Sequence, residues 1–153
     1  FPVGALAGRR EVMDVLDPLA SRVRFPLSGT FSANPITMTA GLATMELFDR
    51  PAVARVNQLA DRARAGIEDA IRATGVGACV TGGGSMFRVH LKRQRPRNYR
   101  DTLGADQEEY VRFAVALLDE GVLALQDGRW YISAAHTEAD IEETVAAAHR
   151  VLD

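Results

Sequence analysis

The chain has 153 residues, with 18 Lys and Arg against 20 Asp and Glu, a net charge of −2, 47% hydrophobic and 25% charged residues. These proportions exclude a disordered or fibrous chain, and near-neutrality excludes nucleic-acid binding by overall charge, leaving only a local basic patch to consider. A single cysteine, Cys79, excludes an internal disulfide and a cysteine-rich zinc site and fits a reducing, cytoplasmic setting. No apolar run approaches the ~18 residues of a membrane span, and the opening FPVGALAGRREV lacks the basic start and apolar stretch of a signal peptide.

Residues 1–10 carry PVGALAG, an apolar and small-residue run that predicts a strand with glycine at its close contacts. The run starts abruptly, with no polar lead-in, and reads as the middle of a longer protein. A short helix is expected over residues 11–19, ended by Pro18. A loop is expected over residues 20–33, where Pro26, Ser28, Gly29 and Thr30 separate single apolar residues. At Asn34-Pro35 a helix should start, because the Asn side chain accepts from free first-turn amides and Pro supplies a helical φ. Ile36, Ala40, Ala43 and Leu47 then form one apolar stripe. Beyond Pro51 a second helix runs through Val53, Val56, Leu59, Ala60, Ala63, Ile67, Ala70 and Ile71 to about Gly75.

From Gly77 the apolar period becomes two. Ala78 and Val80, then Phe87, Val89 and Leu91 alternating with Met86, Arg88, His90 and Lys92, predict strands around a Gly82-Gly83-Gly84 turn. Residues 93–100 form a basic loop broken by Pro96. A third helix is expected from about Asp106 to Glu120, with Tyr110, Phe113, Ala114 and Leu117 on one face and Gly121 as its stop. Residues 122–125 and 130–133 read as a hairpin about the Asp127-Gly128 turn. The last helix opens on a capping-box-like Thr137-Glu-Ala-Asp140 and should bury Ile141, Val145, Ala148 and Leu152. From Gly77 onward this order is that of a small α+β layer, antiparallel strands covered by helices.

Candidate chemistry is sparse. His90, His136 and His149 stand at no ligand spacing, so no metal site is expected. His90 reads as a solvent-facing or partly satisfied strand histidine, His136 as structural and Cys79 as a buried strand thiol. Lys92 is the only lysine among the 18 basic residues, so any amine catalysis by a lysine in this chain would fall on it. The run from Arg88 to Arg100, with one interleaved aromatic, Tyr99, reads as a solvated strand edge and loop rather than a nucleic-acid grip. The Ser28-Gly29-Thr30 loop is usually a turn before a cap, yet a close-approach glycine beside a threonine amide and hydroxyl also suits an oxyanion.

Five blocks in order, FPVGALAGRREVM, SGTFSANPITMTAGLATMELF, GSMF, RNYRD and SAAHTEADIEETVAAA, closely resemble the C-terminal part of class III aminotransferases of fold type I. That pyridoxal-phosphate family includes the glutamate-1-semialdehyde aminomutases. The resemblance implies the C-terminal portion of the α/β pyridoxal-phosphate-transferase fold. Residues 1–33 would close the large cofactor domain, 34–50 would be a connecting helix and 51–153 a small α+β domain. It also implies a homodimer, pyridoxal 5'-phosphate as cofactor, small amino donors and oxo acceptors as substrates, and neither nucleic acid nor membrane as partner. Gly29 and Thr30 match a Gly-Thr that reaches across such dimers to the phosphate of the partner subunit's cofactor.

The departures carry as much meaning. In the family the Schiff-base lysine lies just upstream of the segment like Phe1–Ala5, and Lys92 matches no catalytic position. No catalytic residue is therefore expected in this chain, which is expected to be inactive by itself. Either an N-terminal segment of the same enzyme is missing, or the chain is a non-catalytic binding or dimerisation module. Gln126-Asp127-Gly128-Arg129 replaces the Gln-Phe-Glu-Ala of aminomutases, so Gly128 stands at the family's glutamate and plain transamination is favoured over the aminomutase alternative. Arg129 becomes a candidate for a substrate carboxylate. Ala33 replaces a glycine common before Asn-Pro, a change expected to affect only loop freedom.

Overall fold

The computed structural model of the chain describes residues 1, 3–22, 24–104 and 107–153. These gather into two units, Phe1–Asp49 and Arg50–Asp153. In the first, α1 (Arg10–Met13) runs into a 3₁₀ turn (Asp14–Leu16), and α2 (Pro35–Leu47) follows a loop. The helix predicted over 11–19 stops at Leu16 because Asp17, crowded by the ring of Pro18, is extended at ψ 113°. The strand predicted before Arg10 is not formed. Among the described residues of this unit no second strand exists to pair its amides and carbonyls.

The start of α2 is as predicted. Asn34 accepts from the amides of Ile36 at 3.1 Å and Thr37 at 3.2 Å, with Pro35 in the first turn. Its expected buried stripe is not buried, since Ile36 is 63% and Leu47 82% exposed. Thr37 and Gly41 are covered instead, and a Cβ on Gly41 would lie 2.9 Å from Val3 Cγ2. The helix is apolar around most of its circumference, with Glu46 its single charge, so periodicity selects no face. Ala33 takes φ +55°, the left-handed region. The expectation that replacing glycine there touches only loop freedom is therefore corrected: it adds the Cβ strain of an L-residue in that region.

The second unit comprises α3 (Arg50–Thr74), β1 (Cys79–Gly83), β2 (Met86–His90), α4 (Gln107–Asp119), β3 (Arg129–Tyr131) and α5 (Glu138–Leu152). The predicted face of α3 is buried from Val56 to Ile71, whereas Val53 in its first turn is 40% exposed. The α4 face is buried as expected, although its proposed start at Asp106 lies outside the described residues. The strands form one antiparallel sheet in the order β1-β2-β3. Gly82 and Gly83 belong to β1, so the turn falls later than expected, on Gly84 and Ser85, with Gly84 at φ +56°.

The hairpin predicted about Asp127-Gly128 is not formed. Residues 122–125 make no strand, and β3 pairs with β2, Phe87 opposite Trp130, stacking their rings 5.7 Å apart. The free edge of β2 offers both a ladder and an apolar face, which the short 122–125 run, with Leu123 fully out in solvent, does not. Alternation puts Val80, Phe87, Val89 and Trp130 on the inner face, where they join Ile67, Leu117 and Ile141 from the helices in one core. Helix α3 packs on β1, β2 and α5, and α5 also meets α4. At the α3–α5 crossing Gly66 admits Val145, whose methyls would lie 2.6 Å from a Cβ there. The capping box of α5 is complete: Thr137 Oγ1 accepts from the Asp140 amide at 3.2 Å, and Asp140 Oδ2 accepts from the Thr137 amide at 2.6 Å.

Candidate functional site

In the first unit the loop before α2 exposes Ser28, Gly29 and Thr30. The Gly29 carbonyl accepts from the Ser32 amide at 3.0 Å, closing a turn. Among the described residues the amides of Gly29 and Thr30 and the Thr30 hydroxyl have no partner. A cluster of free donors at an exposed, close-approach backbone is a donor set that fits an oxyanion. Sequence-predicted Gly29 and Thr30 are thus brought together on one loop.

In the second unit the outer face of the sheet carries the polar residues. Register sets Arg88 directly opposite Arg129, and Thr81 opposite Arg88. Arg129 is exposed, and its Nε donates to Asp127 Oδ2 at 2.6 Å, while Nη1 reaches the Tyr131 hydroxyl at 3.4 Å. The Asp127 carboxylate pushes the Arg129 pKa up. Arg88 is half-buried. Its guanidinium lies 5.6 Å from the centre of the Tyr110 ring, and its Nε is buried with no hydrogen-bond partner among the described residues. Thr81, Met86, Arg88, Arg129 and Tyr131 line one cavity of about 290 Å³.

The sequence singles out Arg129, and not Arg88, as a candidate for a substrate carboxylate. Within the basic run Arg88 reads as a solvated strand-edge cation, and only the β2–β3 register reveals its neighbour. The rest of that run is spread out: Lys92 Nζ donates to the Asp101 carbonyl, and Arg93 reaches the Gly75 carbonyl at 3.3 Å.

Gly128 precedes this face at φ +81°. A Cβ there would lie 2.3 Å from the Val89 carbonyl oxygen and 2.6 Å from the Tyr110 ring. The Val89 amide donates to the Gly128 carbonyl at 2.8 Å, which holds the turn against β2.

The histidines divide. His90 is 3% exposed, which corrects the solvent-facing expectation, and is satisfied by a 2.8 Å hydrogen bond between Nε2 and Thr81 Oγ1. Burial, then the nearby charges of Arg88, Lys92 and Arg95, lower its pKa and keep it neutral. His136 is structural as expected, its Nδ1 accepting from the Ser133 amide at 3.0 Å. His149 is exposed on α5. Cys79 is only half-buried, a correction to the buried reading, and burial still raises its thiol pKa. Among the described residues no group of three or more His, Cys, Asp or Glu side chains can hold a metal ion, and no helix is long and apolar enough to cross a membrane.

The model of the family described as aminotransferase class-III matches residues 1–151. A glutamate-1-semialdehyde 2,1-aminomutase of Methanothrix thermoacetophila is 36% identical over 149 residues, covering 96% of this chain and 34% of that protein. Among solved structures, an omega-transaminase from Sphaerobacter thermophilus is 35% identical with a TM-score of 0.80, covering 95% of this chain and 34% of that one. A beta-phenylalanine aminotransferase from Variovorax paradoxus is 30% identical, also at TM-score 0.80, with 94% and 33% covered. The chain spans about a third of the length of these relatives. A match that runs unbroken through both units, with the caps of α2 and α5 and the three-stranded sheet inside it, places the chain in the class III aminotransferase family.

Proposed function

We propose that this chain is the C-terminal third of a cytoplasmic, homodimeric, pyridoxal-phosphate-dependent aminotransferase that moves an amino group between an amino acid or amine and an oxo acid. Residues 1–33 close the large cofactor domain, 34–50 connect, and 51–153 form the small domain. The exposed Leu19, Leu27, Leu42 and Leu47 suit surfaces covered by the rest of the polypeptide or by the second subunit. Pyridoxal phosphate, when bound, supplies the carbonyl that takes up the amino group and a ring that delocalises charge from the substrate carbon. Gly29 and Thr30 donate their free amides and the Thr30 hydroxyl to the phosphate of the partner subunit's cofactor, fixing its position. Arg129, oriented by Asp127, takes a substrate carboxylate. Proton transfer at the substrate carbon falls to a lysine outside these residues, since Lys92 is engaged with the Asp101 carbonyl, and the chain alone is inactive.

Gly128 carries the choice of transamination over the aminomutase reaction: a glutamate there would drive its Cβ into the Val89 carbonyl. The full-length polypeptide, supplied with pyridoxal phosphate, an amino acid and an oxo acid, should transfer the amino group to the acceptor. Isomerisation of glutamate-1-semialdehyde with no acceptor present would overturn the reading in favour of the aminomutase.

A further inference from the structure

We propose that the free edge of β1 takes up an acidic, extended segment of a partner protein as a fourth strand of the sheet. The inference lies outside the transamination reading and does not depend on it.

The order β1-β2-β3 leaves one long side of β1 unpaired. Which backbone groups it presents follows from β2. The Val89 amide donates to the Gly128 carbonyl at 2.8 Å and the Ile132 amide to the Ser85 carbonyl at 2.9 Å, so Phe87 and Val89 turn their backbone groups to β3. Met86, Arg88 and His90 are therefore turned to β1, where they meet Gly83, Thr81 and Cys79. Val80 and Gly82 direct their amides and carbonyls outward, and no described residue pairs with them. Sheets commonly shield such an edge with proline or charge on the strand itself, and β1, CVTGG, carries neither. The Val80 side chain is in the core and Gly82 has none, so neither outward-facing position bars an approaching chain.

The charge stands beside the edge instead. Helix α3, β1 and the segment after β2 line a cavity of about 440 Å³, in which Ile71, Val76 and Ala78 offer an apolar wall to alternate side chains of an added strand. Arg93 and Arg95 line the same cavity. Arg93 gives one nitrogen to the Gly75 carbonyl at 3.3 Å, which leaves its charge uncancelled, and Arg95 has neither a hydrogen bond nor an ion pair among the described residues. Arg72 is already paired with Asp69 at 2.7 Å, so Glu68 is the one acid of the wall set against the two arginines. Their field reaches the strand: burial raises the Cys79 thiol pKa, and Arg95 and Lys92 pull it back.

Charge selects the occupant. A second copy of the chain brings no free acid, because the other end of its β1 meets Arg64, which donates to the Gly84 carbonyl at 2.7 Å and is paired with Asp61. Nucleic acid would use aromatic stacking platforms, and none lines this cavity. A segment with two carboxylates meets both Arg93 and Arg95, while Val80 and Gly82 form the ladder with its backbone.

The test uses the full-length holoenzyme and calorimetric titration with the peptide acetyl-Thr-Val-Thr-Val-Thr-Glu-Glu-amide, whose carboxylates come to Arg93 and Arg95 when it adds antiparallel to β1. The Gln-Gln form of the peptide should bind roughly tenfold more weakly, and Arg95→Glu should weaken the acidic form by about the same factor. Raising the salt from about 0.05 to 0.5 M should weaken the acidic form and leave the Gln-Gln form nearly unchanged. N-methylation of alternate peptide residues should abolish binding in one phase and spare it in the other, since only one set of amides faces β1. Arg95→Glu should keep the wild-type melting temperature and kcat/KM, because Arg95 has no partner to lose. No binding of the acidic peptide, equal affinity for its Gln-Gln form, or equal effects of the two methylation phases would each overturn the proposal. An oligothymidylate bound more tightly than the peptide, or a doubling of subunit number that Arg95→Glu removes, would overturn it in favour of nucleic acid or a second copy.

Discussion

Leu117 and Leu42 occupy equally regular helices, yet Leu117 has no exposed surface and Leu42 is 62% exposed. The contrast extends to their units. Between Arg50 and Asp153 the apolar faces of three helices and a sheet meet in one core. Between Phe1 and Asp49 the helices are held by a cap, a short turn and the contact of Val3 with Gly41, while large apolar side chains stay in solvent. A cap is local and needs only its own turn, whereas burial needs an opposing surface. A helix can therefore form correctly and still leave its apolar side to a partner.

Truncation separates the units most sharply. In residues 1–153 by themselves, Leu117→Ala should cost about 2–5 kcal/mol in chemical denaturation, by removing buried methyls and leaving a cavity, whereas Leu42→Ala should stay within about 0.5 kcal/mol. Equal losses at both sites would break the comparison. Gly128→Ala comes next, at about 2–4 kcal/mol from its positive φ and the approach to the Val89 carbonyl, and it should also weaken carboxylate binding by displacing β3.

In the first unit the effects are local. Asn34→Ala should remove about 1 kcal/mol by freeing the Ile36 and Thr37 amides, seen as lost helicity in circular dichroism. Ala33→Gly should add stability of about 1 kcal/mol, because glycine takes φ +55° without Cβ strain. The smallest effect is one of pH. His90 has a folded pKa below its unfolded value, so its contribution is complete above about pH 6.5 and is lost as the pH falls through the folded value. His90→Gln, which cannot take up a proton, should flatten that limb of a stability profile measured by denaturant titration. An unchanged limb would remove His90 from the account.

Much of the second unit was legible in the residues because its signals are redundant. The face of α4 from Tyr110 to Leu117, the stop at Gly121 and the Thr137–Asp140 box all follow from spacing and end chemistry. Strand pairing is non-local: Asp127-Gly128 is a turn, as its residues predict, but the partner of β3 is β2 and not residues 122–125. The same blindness hid Arg88, whose place beside Arg129 depends on a register some forty residues apart. The stripe of α2 failed for a different reason, since a helix apolar on nearly all sides carries no directional information. Arg129 is a carboxylate candidate by its chemistry alone, and the buried Nε of Arg88 belongs to a class of signal that no sequence period encodes.

The central position of β2 also sets an order of assembly. Its hairpin with β1 closes across two residues and can form on the microsecond scale, while β3 must return from the far side of α4 before the second ladder exists. Helix α5, which covers Gly66 on α3, is made only after β3. On the ribosome the nascent domain therefore carries an uncovered groove along α3 until the fifteen residues of α5 emerge, and a stall before that point exposes the groove to chaperones.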